Sequence, residues 1–295
     1  LWNELKSILD HWIAHGVKIY RVDNPHTKAF PFWEWVIGQI KAEHPDVIFL
    51  AEAFTRPKVM RTLAKLGFTQ SYTYFTWRNT AAELTEYLTE LTQTEMAEYF
   101  RGNLFVNTPD ILHEYLQQGG RPAFLVRLLL AATLSPIYGM YSGFELCENR
   151  PLRAGSEEYL NSEKYQIRVR DWNAPGNLNE EIAALNRIRR ENAALQLYTN
   201  LEFHTSENER ILFYRKSAPA NELLIVVNLN PKATESTMVH VPVADLGLGA
   251  DEPFVVEDLL TGAHYTWRGA RNYVRLDPAV GQVGHVLRLV PPATG

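Results

Sequence analysis

Acidic side chains follow three short apolar runs, at the points where strands of a parallel sheet would end. Asp23 closes the run YRVD, Glu52 closes FLAE and Asp110 closes VNTPD. Barrels of alternating strands and helices build their active sites at the carboxyl ends of the strands, so these acids indicate one catalytic centre. Retaining glycoside chemistry uses two carboxyl groups roughly 5–5.5 Å apart, one as nucleophile and one as acid and base. Neighbouring strands lie about 4.8 Å apart, so Asp23 and Glu52 on adjacent strands could meet that requirement.

The immediate neighbours give these acids different expected properties. Arg21 and Asp23 share one face of a strand because side chains alternate, and a nearby cation favours an ionised carboxylate, as a nucleophile needs. Apolar residues surround Glu52, and burial would raise its pKa and keep it protonated for use as a general acid. Two structural explanations stay open. An ion pair that closes a strand accounts equally well for Arg21 and Asp23, and a helix N-cap is an alternative for Asp110.

Alternating apolar runs and helical patterns place these residues in an α/β region from residue 1 to about residue 195. A first amphipathic helix begins at Trp2 and is followed by Gly16, a typical helix-capping residue. The expected strands are 17–22, 47–51, 69–75, 104–106 and 137–141. The expected helices after the first are 32–43, 57–66, 80–99, 121–134 and 180–195.

After this last helix, strands follow one another without intervening helices. Examples of such strands are 211–216, 223–229, 238–243 and 286–290. This pattern is typical of an antiparallel β-sandwich. The predicted fold class is therefore α/β: residues 1–195 form part of a (β/α)8 barrel, and residues 196–295 form an all-β antiparallel sandwich domain.

Composition excludes several classes of function. The 29 Lys and Arg residues against 34 Asp and Glu residues give a net charge of −5, which argues against nucleic-acid binding. The longest apolar stretch, residues 128–141, is shorter than the roughly 20 residues of a spanning helix, so we expect no membrane association. Cys147 is the single cysteine, which favours a reducing compartment, and we expect a cytoplasmic protein.

Longer motifs around these acids resemble one family of the α-amylase clan, the α-1,4-glucan:maltose-1-phosphate maltosyltransferases. The resemblance runs through nearly all of residues 1–195, and DLLTG (258–262) extends it into the tail. Its motifs are YRVDNPHTK (20–28), FLAEAFTRP (49–57), YFTWRN (74–79), LFVNTPDIL (104–112), YSGFELCENRPL (141–152) and EKYQIRVRDW (163–172).

The resemblance implies a role for each acid. Asp23 would be the nucleophile, Glu52 the general acid and base, and Asp110 the residue that stabilises the transition state. Other amylases usually carry a histidine before the third acid, whereas this sequence has Pro109, which disfavours plain starch hydrolysis.

Four further residues take part in substrate binding if the resemblance holds. Arg21 would hold Asp23 ionised and oriented. Asn24 would contact the phosphate or a nearby sugar, and Lys164 and Tyr165 would line the donor-sugar pocket. For Lys164, an exposed loop charge is the alternative.

By the same resemblance, the activity is transfer of a maltosyl unit from α-maltose 1-phosphate to the non-reducing end of an α-1,4-glucan such as glycogen. The expected route is a retaining double displacement that releases phosphate and needs neither metal nor organic cofactor. A homodimer is expected for the full-length enzyme. The alternatives are another glucanotransferase or hydrolase of the clan, and a non-catalytic module that binds α-glucan.

The number of predicted strands indicates an incomplete barrel. A closed barrel has eight strands and typically about 250 residues, but only five strands precede the sandwich. The sequence also begins with Leu1 inside an amphipathic pattern. We therefore expect a C-terminal portion that holds barrel strands four to eight and needs the missing N-terminal half of the barrel to complete its fold.

Overall fold

The computed structural model describes residues 1–290. They form two compact units, one made of residues 1–74 and 93–104, the other of residues 75–92 and those from 105 onward. The α/β region contains helices and strands in alternation, as the sequence predicts. In chain order its elements are α1 Trp2–Ala14, β1 Ile19–Asp23, α2 Phe30–Glu43, β2 Ile48–Glu52, α3 Pro57–Lys65, β3 Gln70–Tyr72, α4 Ala81–Gln93, α5 Met96–Tyr99, β4 Gly102–Phe105, α6 Glu114–Leu134, β5 Tyr138–Gly139 and α7 Asn179–Glu191.

A parallel sheet organises the first unit. Strands β1, β2, β3 and β4 lie side by side in that order. The first two pair in register from Ile19 opposite Ile48 to Asp23 opposite Glu52. One core holds the helices against the sheet, and its buried members are Phe32, Val36, Ile37, Ile40, Val47, Phe49, Ala51, Ala53, Leu63 and Phe68. Because this register brings the last residues of β1 and β2 together, the sheet fixes the spacing of the two acids.

Helices α4 and α6 differ from their predicted bounds for local reasons, and α7 ends at Glu191, four residues before the predicted 195. The single helix predicted over 80–99 is two helices, α4 and α5, because the Thr94 hydroxyl accepts a hydrogen bond from the Met96 N–H and starts a new turn. Helix α6 begins seven residues before the predicted 121, at Glu114, where a ring nitrogen of His113 accepts from the Tyr115 N–H. It kinks at Gly120, whose φ of 61° suits glycine.

The second unit ends in two antiparallel sheets. Their strands are β6 Leu201–His204, β7 Ile211–Ala218, β8 Asn221–Asn228, β9 Glu235–His240, β10 Pro253–Asp258, β11 His264–Arg268, β12 Arg271–Leu276 and β13 Gly284–Val290. The larger sheet has the order β11-β10-β13-β8-β7-β6, and β12 pairs with β9 in the smaller one. Residues from both sheets, including Phe213, Val239, Trp267 and Val274, share one core, so this region is an antiparallel sandwich as predicted.

The larger sheet is buried on both faces along β7 and β8. Ile211–Lys216 of β7 are all buried, and the Thr133 hydroxyl of α6 hydrogen-bonds the Tyr214 hydroxyl. Helix α6 therefore packs on the face of the sheet that is turned away from the sandwich core. Within residues 1–290, no helix is long and apolar enough to cross a membrane.

Candidate active site

The carboxyl ends of β1 and β2 bring Arg21, Asp23 and Glu52 into one group. Asp23 and Glu52 are cross-strand partners at the last position of the pairing. Asp23 is exposed, whereas Glu52 is buried. The Arg21 guanidinium forms an ion pair with the Glu52 carboxylate, with Nη2 2.5 Å from Oε1. The sequence predicts Asp23 as the partner of Arg21, but in the structure the ion pair crosses to the neighbouring strand.

Burial has the effect on Glu52 that its apolar neighbours predict. Desolvation raises the pKa of Glu52 to about 7. The positive charge of Arg21 opposes this shift, while a side-chain hydrogen bond with Asp23 adds to it. A carboxyl group with this pKa is partly protonated at neutral pH, so it can donate a proton in one step and accept one in the next.

Tyr72 supports the arginine from the next strand. This residue ends β3 and is buried, and the Arg21 guanidinium lies 5.8 Å from the centre of its ring. Burial raises the pKa of the Tyr72 hydroxyl. Sequence reasoning gave Tyr72 no role, because the third strand was predicted over 69–75, whereas β3 ends at Tyr72.

Asn24 turns the chain directly after the exposed acid. It has a left-handed backbone conformation with φ 46° and ψ 51°. Its N–H donates to the Glu52 carbonyl oxygen at 3.1 Å, and its own carbonyl oxygen accepts from the Thr27 N–H at 3.0 Å. Asparagine tolerates this conformation better than most residues. The backbone of Asn24 thus ties the end of β1 to the end of β2.

Asp23 and Arg21 border a cavity of about 530 Å³. Most of its lining is apolar and comes from α1, α2 and β1, with Leu5, Ile8 and Phe32 among the lining residues. This volume lies within the range of roughly 300–1,000 Å³ for small-molecule sites. Asp23 therefore lies at the border of a largely apolar cavity.

In the second unit, a tight turn presents Asp110. Thr108 and Ile111 form two backbone hydrogen bonds with each other, each 3.2 Å long, and Pro109 and Asp110 lie between them. The Thr108 hydroxyl also accepts from the Asp110 N–H at 3.2 Å. Asp110 is exposed and does not cap a helix, since α6 begins at Glu114 with His113 as its N-cap.

Lys164 lies against this acid. Its ammonium group forms an ion pair with Asp110 and lies 3.7 Å from a carboxylate oxygen of Glu158. The hydrogen bond to Asp110 raises the pKa of Lys164. The neighbouring Tyr165 is 77% exposed, and the Lys164 ammonium lies 5.4 Å from the centre of its ring. Lys164 is thus an exposed loop residue whose ammonium group pairs with Asp110.

A buried amide holds the turn that carries Asp110. The Asn107 side chain donates to the Tyr159 hydroxyl at 2.7 Å and to the Tyr141 carbonyl oxygen at 3.2 Å. Its own oxygen accepts from the Tyr141 N–H at 2.9 Å. Sequence reasoning assigned no role to Asn107 or Tyr159, since only the fold brings their segments together.

A second support in this unit was also missed. Arg127 of α6 is buried and donates to the carbonyl oxygens of Phe75 at 2.6 Å and Arg78 at 2.7 Å. These bonds fix the turn that carries Trp77, whose indole N–H donates to Glu157 Oε1 at 2.9 Å. The motif YFTWRN is thus held in place by a cation from a distant helix.

The structure divides the predicted site residues between the two units. In the first unit it groups Arg21, Asp23, Asn24 and Glu52 at the ends of β1 and β2. In the second unit it groups Asp110, Lys164 and Tyr165 in loops.

Known proteins resemble this chain in sequence. Residues 203–289 match the protein-family model described as GLGE, C-terminal. The alpha-1,4-glucan:maltose-1-phosphate maltosyltransferase 1 of Streptomyces coelicolor is 56% identical over 297 residues, covering 99% of this chain and 44% of that protein. The alpha-1,4-glucan:maltose-1-phosphate maltosyltransferase of Rhodospirillum rubrum is 52% identical over 293 residues, covering 99% of this chain and 42% of that protein. The chain thus spans less than half the length of these relatives.

Solved structures resemble it in fold. An alpha-amylase from Anoxybacillus matches with a TM-score of 0.77 at 16% sequence identity, covering 100% of this chain and 63% of that chain. The cyclomaltodextrin glucanotransferase CldA matches with a TM-score of 0.76 at 15% identity, covering 98% of this chain and 59% of that chain. The fold is therefore that of the α-amylase proteins.

Proposed function

Since this chain belongs by sequence to the α-1,4-glucan:maltose-1-phosphate maltosyltransferase family, we propose that it carries the reacting carboxylates of a maltosyltransferase. The reaction moves a maltosyl unit from α-maltose 1-phosphate to the non-reducing end of an α-1,4-glucan and releases phosphate. One observation carries the proposal: an exposed Asp23 is the cross-strand partner of a buried Glu52 with a pKa of about 7.

In the first step of this reaction, the Asp23 carboxylate attacks the anomeric carbon of the donor. The bond from that carbon to the phosphate oxygen breaks, and the protonated Glu52 supplies a proton to the departing oxygen. The product is a β-maltosyl ester of Asp23. Burial keeps Glu52 partly protonated at neutral pH, whereas Asp23 is exposed at the strand end, where a substrate can reach it.

In the second step, the same two residues act in reverse. Glu52, now ionised, takes the proton from the 4-hydroxyl of the acceptor glucan, and that oxygen attacks the anomeric carbon. The ester bond to Asp23 breaks and an α-1,4 linkage forms, so two inversions give net retention. The Arg21 guanidinium, 2.5 Å from Glu52, favours the ionised form that this step requires.

The remaining site residues act on the sugar and the phosphate. Asp110 binds sugar hydroxyls more tightly as the ring distorts toward the transition state, which is the differential binding that accelerates a reaction. Lys164, paired with Asp110, holds that carboxylate in place and lines the donor pocket beside Tyr165. Asn24, next to the nucleophile, contacts the phosphate or a nearby sugar. None of these roles requires a metal ion or an organic cofactor.

The proposal extends to domain organisation. Residues 1–195 would be strands four to eight of a (β/α)8 barrel, and residues 196–295 the C-terminal β-sandwich. A further segment, the N-terminal half of the barrel, would cover β1, which lies at the end of the sheet order. Apolar side chains support this, since Ile8 of α1 is 52% exposed and Ile19 of β1 is 59% exposed.

The expected setting of the complete enzyme is a cytoplasmic homodimer. The single cysteine, Cys147, supports a reducing compartment. The homodimer rests on the family resemblance alone.

The experiment that tests the proposed chemistry traps the intermediate. In the polypeptide that contains this chain, Glu52→Ala removes the base of the second step but leaves Asp23 able to displace phosphate, a leaving group that departs without much protonation. Incubation with α-maltose 1-phosphate should then add the mass of one maltosyl unit to the protein. Peptide mapping should place that unit on Asp23. The double variant Asp23→Ala, Glu52→Ala is the control and should stay unmodified. No adduct on the single variant, or an adduct on another residue, would contradict the assignment.

A further inference from the structure

The sandwich contains a small cleft that the proposed reaction does not use. It lies where β11, β12 and β13 come together and has a volume of about 240 Å³. Its lining residues are Tyr265, Trp267, Tyr273, Val274, Arg275, Gln282, His285 and Leu287. Pockets for drug-sized ligands usually measure roughly 300–1,000 Å³, so this cleft suits a single small ring.

The floor and walls of the cleft are apolar and aromatic. Trp267, Val274 and Leu287 belong to the sandwich core, and Tyr265 packs against that core. Tyr273 projects from the opposite face of β12 to its neighbour Val274 and is 59% exposed. An exposed tyrosine beside a cleft keeps a flat apolar face available for contact at little entropic cost, since it has few rotatable bonds.

A buried hydrogen-bond network fixes the histidine in the cleft. Asp258 is fully buried, and its carboxylate lies 3.0 Å from Nδ1 of His285. The same carboxylate accepts from the Val286 N–H at 3.3 Å and the Thr261 hydroxyl at 2.9 Å. The carboxylate at Nδ1 fixes the orientation of the His285 ring and leaves Nε2 at its opposite end. The Tyr265 ring packs edge-on at 5.6 Å from the His285 ring.

Two further polar side chains line the cleft. Arg275 contributes N–H donors, and its charge is partly balanced by Asp277, whose Oδ2 lies 3.3 Å from Arg275 Nη2. Gln282 contributes an amide, which both donates and accepts. The cleft therefore combines apolar faces with donors and acceptors and has little excess charge. That combination fits a neutral, polyhydroxylated ring better than an ion or an acidic peptide.

We propose that this cleft binds one glucosyl unit of an α-1,4-glucan at a site separate from the reacting carboxylates. The sugar ring packs on Tyr273, and its hydroxyls hydrogen-bond with His285, Gln282 and Arg275. The identification of the sugar as part of a glucan rests on the proposed function. The description of the cleft and its lining residues does not depend on that function. Such a site would hold a long acceptor on the sandwich while its end reacts elsewhere.

The test is amide hydrogen exchange of the polypeptide that contains this chain, with and without maltoheptaose, together with titration calorimetry. Residues 264–276 should exchange more slowly when the sugar is bound. Tyr273→Ala should abolish that protection and raise the dissociation constant at this site at least roughly fivefold, the effect expected for losing an aromatic anchor. His264→Ala is the matched control, because His264 is exposed on β11 next to Tyr265 but does not line the cleft.

Three outcomes would overturn the proposal: no protection of residues 264–276 at millimolar maltoheptaose, protection that survives Tyr273→Ala, or an equal loss in the His264→Ala variant. Gln282→Ala is a second test variant. It keeps the Tyr273 ring, so it should weaken sugar binding less than Tyr273→Ala does. Protection around residues 20–24 and 48–54 reports the proposed active site instead. If protection is absent from residues 264–276 but present at residues 20–24 and 48–54, only the cleft proposal fails. The reverse result contradicts only the proposed active site.

Discussion

Glu52 in the first unit and Lys216 in the second are both buried ionisable side chains with a pKa of about 7. Their surroundings differ. Glu52 forms an ion pair with Arg21 and a side-chain hydrogen bond with the exposed Asp23. The Lys216 ammonium donates to the Leu197 carbonyl oxygen at 2.7 Å, and the charged group that acts on it, Arg189, has the same sign.

This comparison shows that a displaced pKa does not by itself identify a reactive group. Burial lowers the pKa of Lys216 in the interior of β7, and Arg189 adds to the effect. Burial raises the pKa of Glu52 beside an accessible carboxylate. Glu52, next to an exposed carboxylate, suits the proposed proton exchange with a substrate, whereas Lys216 is fully buried.

The largest expected effect is on activity. In the polypeptide that contains this chain, Asp23→Ala should lower the rate of phosphate release from α-maltose 1-phosphate by about 10⁴-fold or more, since it removes the proposed nucleophile. Circular dichroism should show an unchanged fold, because Asp23 is exposed. Lys216→Met is the control and should keep the rate within about twofold at a temperature where both proteins are folded. A comparable loss of rate in Lys216→Met would remove the distinction between the two regions.

The next effect concerns stability above neutral pH. The folded protein holds the pKa of Lys216 at about 7 against a usual value of 10.5, so between these values the unfolded chain binds more protons. The contribution of Lys216 to the free energy of unfolding should therefore rise with pH, by at most about 4 kcal/mol from pH 7 to pH 10. Urea denaturation of the native chain and of Lys216→Met across this range measures the difference. If the free energies of unfolding of the two proteins changed in parallel with pH, Lys216 would be charged in the folded state.

Glu52 should give the opposite dependence at lower pH. Its pKa is about 7 when folded against 4.5 ordinarily, so the folded state binds more protons between these values. The stability that Glu52 contributes is complete below pH 4.5 and is lost as the pH rises through 7, by at most about 3 kcal/mol. Glu52→Gln mimics the protonated form and should unfold at higher urea concentration than the native chain at pH 8. If Glu52→Gln and the native chain had the same urea midpoint at pH 8 as well as at pH 5, the raised pKa of Glu52 would be contradicted.

The smallest effect is on the pKa of Glu52 itself. Arg21 lowers that pKa against the larger effect of burial, so Arg21→Met should shift it upward from about 7 by roughly one unit. Carbon-13 chemical shifts of labelled glutamate, followed through a pH titration, measure the shift directly. Lys18→Met is a control, because Lys18 precedes β1 and pairs with the exposed Asp46. A downward shift in Arg21→Met would mean that the arginine does not stabilise the ionised carboxylate.

Local patterns in the sequence predict much of this architecture. Alternation and strand-end position place Asp23 and Glu52 correctly at the last residues of β1 and β2, and apolar neighbours predict the burial of Glu52. Asp110 instead lies in a turn five residues after the end of β4. The helices α2 and α3 begin and end within two residues of their predicted bounds, because their apolar periodicity is regular.

The missed features depend on contacts between distant segments. The ion pair of Arg21 with Glu52 requires the register of β1 with β2, and the turn at Asp110 requires Asn107 to meet Tyr159, which is 52 residues away. The tail strands named as examples from the sequence did not include β6, β10, β11 and β12. Lys216 has no local signal of burial, because α6 covers the sheet only in the folded chain.

The left-handed backbone of Asn24 has a consequence for protein engineering. A position with φ near 46° accepts glycine, asparagine or aspartate far more readily than other residues. A library that varies position 24 should therefore be filtered first by folding and only then by substrate preference. Few other residues could replace Asn24 in its proposed contact with the donor. The turn that places this residue beside Asp23 also restricts which side chains can occupy the position.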